Sequence, residues 1–162
     1  MEENIAVFLD RDGVICEDAD HLSNEKDIRL FPKSGEAIKM LNNSNYKVII
    51  VTNQAAIARG LLTEEKLDKI HGHLIKLLKS KGASIDGIYY CPHHPTIGKS
   101  PEYVKECDCR KPKIGMFLQA KKDFMINNFE DCFMIGDKTS DIKAETTIKE
   151  YLLEFIKMVC FF

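Results

Sequence analysis

The chain has 162 residues, 44% hydrophobic and 30% charged, a composition that fits one globular domain over residues 1–162 and excludes a disordered polymer. Its 23 basic and 25 acidic residues leave a formal net charge of −2, which gives no sign of a nucleic-acid-binding or membrane-bound protein. The opening "MEENIAVFLD" has no basic leader and no apolar run is long enough to span a bilayer, so the expected compartment is the reducing cytoplasm.

The first element is the apolar run Ile5–Leu9, of the kind shown by a strand covered on both faces. It leads into "DRDG". After a polar stretch, "SGEAIKMLNN" reads as a helix with Ser34 as its cap. Lys47–Thr52 reads as a second buried strand. "TEEKLDKIHGHLIKLLKSKG" is the clearest helix. Thr63 caps it, Leu67, Ile70, His71, Leu74, Leu77 and Leu78 form its apolar stripe, and Gly82 ends it. "DGIYY" is a third strand, followed by a loop rich in cysteine and histidine. "IGMFLQAKKDFMI" reads as helix, with Met116, Phe117, Ala120 and Phe124 aligned, and Cys132–Gly136 is a fourth strand. This alternation predicts an α/β fold: a three-layer, Rossmann-like parallel sheet with helices on both faces and no large cap domain.

In such a sheet, functional residues sit just beyond the carboxyl ends of the strands. Chemistry-bearing residues stand at each of those places. Asp10 and Asp12 follow the first strand, Thr52 and Asn53 end the second, the Cys/His loop follows the third, and Asp137 follows the fourth. If extension continues through Asp12, both acids share a face, and Gly13 permits a sharp turn. Close carboxylates repel and need a cation. Oxygen ligands from Asp10, Asp12, Asp137 and Asp141 suit Mg2+. A carboxylate nucleophile beside Mg2+ can accept a phosphoryl group, with a second acid handling the proton. Thr52 and Lys111 can stabilise the phosphoryl oxygens.

Cys91 and His93 form C-x-H, and Cys107 and Cys109 form C-x-C, a four-ligand N/S set for structural Zn2+. His94 is the alternative histidine, although the C-x-H spacing favours His93. The metal would order a loop, about residues 91–109, that has little apolar material, and the loop would deliver Arg110 and Lys111 to phosphate. "IGKS" (97–100) imitates the end of a P-loop, but the position that needs the earlier glycine is His93. His71 and His73 are too close along a helix to chelate one ion. Cys16, Cys132 and Cys160 read as small buried hydrophobes. Arg59 could meet substrate or face water, and Lys138 could pair with the acidic cluster.

"FLDRDGVI", "VTNQ", "CRKP" and "MIGDKTSD" resemble the four motifs of the haloacid dehalogenase-like (HAD) phosphatases. "TNQAAIARGLLTEE" and "CPHHP…CDCRKPKIGM" are similar to segments of the heptose-bisphosphate phosphatases within that group. The resemblance covers about residues 5–143. It implies Asp10 as nucleophile and Asp12 as general acid/base, with Thr52 and Lys111 on the phosphate. It further implies Mg2+ on Asp10, the Asp12 carbonyl and Asp137, and Arg110 on the phosphate that is not cleaved. Asn53 and Lys138 join the expected phosphate and substrate contacts. The implied reaction is removal of the C7 phosphate of a heptose bisphosphate by a monomer, in a route to nucleotide-activated heptose. Histidinol-phosphate phosphatase, or an inactive zinc-binding remnant, is the competing reading. The longer spacer between the two ligand pairs favours the heptose enzyme.

Two departures from the pattern stand out. Ala56 replaces a usual glycine, which matters only if φ is positive there. The tail, about 146–162, has no glycine or proline where a fifth strand and a glycine-rich loop are expected. The expectation is a substitute strand or helix over Tyr151–Phe161, or a normal ending lost by truncation or frameshift after about Glu145, with the C-terminal strand altered or missing.

Overall fold

The computed structural model describes residues 4–18 and 24–160, with side chains of the last helix described as far as Lys149. In chain order the elements are β1 (Ala6–Leu9), α1 (Ser34–Asn43), β2 (Lys47–Asn53), α2 (Glu64–Ser80), β3 (Gly87–Cys91), α3 (Gly115–Asp123), β4 (Phe133–Ile135) and α4 (Thr139–Cys160). The strands form one parallel sheet in the order β3-β2-β1-β4.

Side-chain alternation builds a core on each face of the sheet. Val7, Leu9, Val48 and Ile50 point to one face, where they meet Ile38 of α1 and Leu67, Ile70, Leu74 and Leu78 of α2. Ala6, Phe8, Ile49 and Val51 point to the other and meet Met116, Phe117 and Ala120 of α3 and Ala144 and Ile148 of α4. Continuous apolar strands with helices on both sides are what a doubly covered parallel sheet requires. Phe8 is wedged edge-on against Phe117, with ring centroids 5.0 Å apart. Burying each such ring contributes about 1.5–3 kcal/mol.

The chain moves outward from β1 through β2 to β3, then crosses back to lay β4 on the far side of β1. The strand order thus reverses between β1 and β4, and the ground beyond their carboxyl ends is the usual place for a ligand in such a sheet.

Some local expectations change. Lys33, not Ser34, caps α1; Ser34 is already helical, and its hydroxyl donates to the Phe31 carbonyl. Thr63 does cap α2, accepting from the Lys66 N–H. Ala56 is buried and lies outside the non-glycine residues with positive φ, so alanine fits there without strain. Helix α4 runs unbroken through Glu145 to Cys160, and no fifth strand occurs among the described residues. The side chain of Cys160, and Phe161 itself, lie outside the described residues. β4 is thus an edge strand of this sheet, with Phe133 50% and Ile135 46% exposed.

Candidate active site and metal loop

Asp10 is the first residue past β1. Its N–H donates to the Ile135 carbonyl at 2.9 Å, which carries the β1–β4 ladder one step further and fixes the backbone. The Asp10 side chain is 5% exposed. One carboxylate oxygen accepts from the Arg11 N–H at 2.8 Å and lies 3.2 Å from Lys111 Nζ. Burial pushes the Asp10 pKa up, and Asp141 adds to this against the opposing pull of Lys111.

Asp137, beyond β4, and Asp141, in the first turn of α4, complete an acidic group. One carboxylate oxygen from each of Asp10, Asp137 and Asp141 lies within 4.8 Å of the others. Gly13, at φ +81°, lacks the Cβ that would collide with the Asp137 carboxyl, so the turn after Asp12 makes room for this acid. Asp141 is already engaged, with Lys111 Nζ at 2.6 Å and the Lys138 N–H at 3.0 Å. Octahedral Mg2+ with ligands at about 2.1 Å holds neighbouring oxygens roughly 3 Å apart and opposed ones roughly 4.2 Å apart. The all-oxygen donor set of Asp10, Asp137 and Asp141 suits that ion.

Asp12 does not face this group with its carboxylate. Arg11 grips it through both oxygens, at 2.9 and 2.8 Å, and Gln54 donates to it at 2.9 Å. Burial alone would raise the Asp12 pKa, but the Arg11 charge and these hydrogen bonds outweigh it and hold the carboxyl below its usual range. Shared facing of the two acids is therefore not what the turn produces. The chain leaves the extended conformation at Arg11, and the Asp12 carboxylate turns toward Gln54.

Thr52 and Gln54 lie two apart at the end of β2, and Gln54 Nε2 donates to Thr52 Oγ1 at 2.9 Å. Asn53, between them, points elsewhere. Its amide donates to the Lys111 carbonyl at 3.1 Å and accepts from the Lys111 N–H at 3.0 Å. Its side chain thus clasps the backbone of the lysine, where a phosphate contact was expected. Lys111 is buried, with Nζ also donating to the Val51 carbonyl at 2.8 Å. Lys138 pairs at the rim with Asp18 at 3.0 Å.

The metal loop begins inside the sheet, because Cys91 is the last residue of β3 and is in register with Asn53. Cys109 Sγ lies 3.2 Å from Cys91 Sγ and 3.3 Å from Cys107 Sγ, and Cys91 and Cys107 are 3.6 Å apart. His93 Nδ1 is 3.3 Å from Cys109 and 3.7 Å from Cys91. A tetrahedral Zn2+ with Zn–S near 2.3 Å separates sulfurs by about 3.8 Å, so a slight expansion of this group would admit the ion. His94 is occupied otherwise: its Nδ1 accepts from the Thr96 and Ile97 N–H groups at 3.3 and 2.9 Å.

Backbone staples tie the loop to the segment after β2. The N–H groups of Lys99 and Ser100 both donate to the Ala58 carbonyl, and Ala58 donates to the Pro92 carbonyl. The "IGKS" turn is therefore part of this staple, and a short 3-10 turn, Pro101–Tyr103, follows it in place of a P-loop helix. Arg110 Nη1 donates to the His93 carbonyl at 3.0 Å, so the loop sets the direction of that guanidinium. Burial first, then the positive charges of Arg110 and Arg59, hold the pKa of His94 below its ordinary value.

Arg11, Gln54 and His71 had no assigned chemical role on sequence grounds. Gln54 could have been found from its i,i+2 relation to Thr52 at a strand end. His71 carries no such signal, since a histidine on a helix stripe reads as a core edge.

A family model described as polynucleotide kinase 3 phosphatase matches residues 4–153. A D-glycero-beta-D-manno-heptose-1,7-bisphosphate 7-phosphatase of Photorhabdus laumondii is 42% identical over 144 residues, covering 89% of this chain and 76% of that one. The enzyme of the same name from Vibrio cholerae is 43% identical over 139 residues, covering 86% and 74%. Among solved structures, a D,D-heptose 1,7-bisphosphate phosphatase of B. bronchiseptica, complexed with magnesium and phosphate, superposes with a TM-score of 0.78 at 30% identity, over 89% of this chain and 76% of that one.

Proposed function

The chain belongs to the haloacid dehalogenase-like family of D-glycero-D-manno-heptose-1,7-bisphosphate 7-phosphatases, and from that premise we propose that it is a Mg2+-dependent phosphatase removing the C7 phosphate of such a bisphosphate. The observation that carries the reading is the convergence of Asp10, Asp137, Asp141 and Lys111 beyond the ends of β1 and β4.

In the proposed reaction, Asp10 attacks the phosphorus and the bond to the sugar oxygen breaks, leaving an aspartyl-phosphate and an alcohol. Asp12 supplies the proton to the departing oxygen. It then takes a proton from the water that attacks the phosphorus and frees Asp10. Arg11 and Gln54 keep Asp12 ionised in the free protein, which suits the second step. For the first, a phosphate dianion arriving beside it raises its proton affinity. Lys111 and Thr52 stabilise the charge spreading over the phosphoryl oxygens. Mg2+, held by Asp10, Asp137 and the Asp12 carbonyl, would supply charge neutralisation and polarise a phosphoryl oxygen. Zn2+ on Cys91, His93, Cys107 and Cys109 would have a structural role, fixing the loop that carries Arg110. Arg110, with Arg59, is the proposed contact for the phosphate that stays.

We further place the protein in the cytoplasm as a monomer, acting on a phosphorylated sugar and not on nucleic acid. No described helix is long and apolar enough to cross a membrane, and a thiol-rich metal loop suits a reducing compartment. The test is phosphate release from heptose bisphosphate, histidinol phosphate and a 3′-phosphorylated oligonucleotide, with and without Mg2+. Turnover of the heptose substrate alone, and only with Mg2+, is expected. Preference for either other substrate would overturn the assignment.

A further inference from the structure

Arg11 is a charged residue whose side chain is 2% exposed, and its guanidinium faces three polar partners. Nε and Nη2 reach the two oxygens of Asp12, Nη2 also reaches Gln54 Oε1 at 3.0 Å, and Nη1 lies 3.2 Å from His71 Nε2. Chemistry fixes the direction of each bond. A guanidinium only donates, so Gln54 Oε1 and His71 Nε2 must accept. That sets the His71 tautomer, with its proton on Nδ1. It also orients the Gln54 amide, whose Nε2 then donates both to Asp12 and to Thr52 Oγ1. The Thr52 hydroxyl already accepts this bond, so its own proton is left to donate, which is what a phosphoryl oxygen needs.

We infer that Arg11, Gln54 and His71 form one buried brace that positions the carboxylate of Asp12 and the hydroxyl of Thr52 for phosphoryl transfer, with His71 as its anchor on α2. The inference rests on the proposed function. These three are positioning residues: they act through Asp12 and Thr52 and need no contact with the substrate. His71 stands 60 positions from Arg11 in sequence, so the bond ties α2 to the β1 turn. Charged partners bound from two sides lose less orientation than a carboxylate held by one flexible arginine.

The experiment compares His71→Leu, which suits the apolar stripe but has no acceptor, with His71→Gln, whose carbonyl reaches about as far as Nε2. The leucine variant should lose roughly ten- to a hundred-fold in kcat on the sugar bisphosphate, with KM little changed, and the glutamine variant should recover most of it. On p-nitrophenyl phosphate, whose leaving group needs no proton, the leucine variant should release a burst of nitrophenolate before a slow steady rate. Wild-type kcat in the leucine variant, or equal losses in both, overturns the inference. The tautomer is read without turnover, from long-range 1H–15N couplings of the His71 ring in the wild-type protein. A proton on Nε2 refutes the brace even if the chain proves not to be a phosphatase, and a proton on Nδ1 supports it in either case.

Discussion

Lys111 holds two buried acids apart by standing between them, 3.2 Å from Asp10 and 2.6 Å from Asp141. Lys111→Met would leave those carboxylates facing each other without a cation, and breaking a buried pair in this way costs about 3–5 kcal/mol. The loss should be greatest at neutral pH and smaller at pH 5, because an acid whose folded pKa is raised stabilises the fold only while it stays protonated. Urea titrations at the two pH values check this, and a variant equally stable at both would count against it. His71 and Asp12 carry the opposite sign. Burial, helped by Arg11, holds the His71 pKa at about 3, so the folded ring stays neutral while the unfolded one takes up a proton below about 6.5. Asp12 is held below 3.8, so its contribution is present above that value and lost as pH falls through its folded pKa. Stability should therefore decline as pH falls from 6.5 toward 3, and His71→Leu should flatten the upper part of that decline in thermal melts. The long reach of the Arg11–His71 bond also explains why sequence reading left His71 as a core edge. A contact between a strand turn and a helix face has no local spacing to betray it.

At the scale of elements, the turn after β1 and the metal loop are the two devices that assemble the site. Gly13 stands at φ +81° where a side chain would meet the Asp137 carboxyl. Gly13→Ala should cost about 1–3 kcal/mol in stability and weaken Mg2+ binding, read by denaturation and by calorimetry with Mg2+ alone. Unchanged affinity for Mg2+ would detach Asp137 from the proposed ion. The metal loop should hold one zinc per chain. Chelation, or Cys109→Ser at the sulfur that touches the other three ligands, should open residues 92–109 to limited proteolysis and lower kcat together. A loop equally resistant without zinc would refute its ordering role. The grouping of Cys91, His93, Cys107 and Cys109 was legible because a C-x-H and a C-x-C each declare themselves locally. Asn53 was not, because its partner is the backbone of a residue on the far side of that loop. The Ser34 cap was displaced by a single residue, since Lys33 supplies the backbone that starts α1.

For the molecule as a whole, the parallel sheet could be read from unbroken apolar strands alternating with helices, and the place of the candidate site from the chemistry-bearing residues at the strands' carboxyl ends; the strand order β3-β2-β1-β4 came from the structure. What the pattern could not foretell was the course of the tail, since a glycine-free run of mixed polarity fits a helix as well as a strand. It continues α4 and leaves β4 as an edge strand of the described sheet. The proposed reaction requires that Asp10 become phosphorylated. Protein quenched in acid during turnover of heptose bisphosphate with Mg2+, then digested, should carry one phosphoryl group on the peptide containing Asp10. The adduct should be absent from Asp10→Asn, which should release no phosphate. An unmodified Asp10 peptide at every quench time, with Asp10→Asn still turning over, would contradict the account.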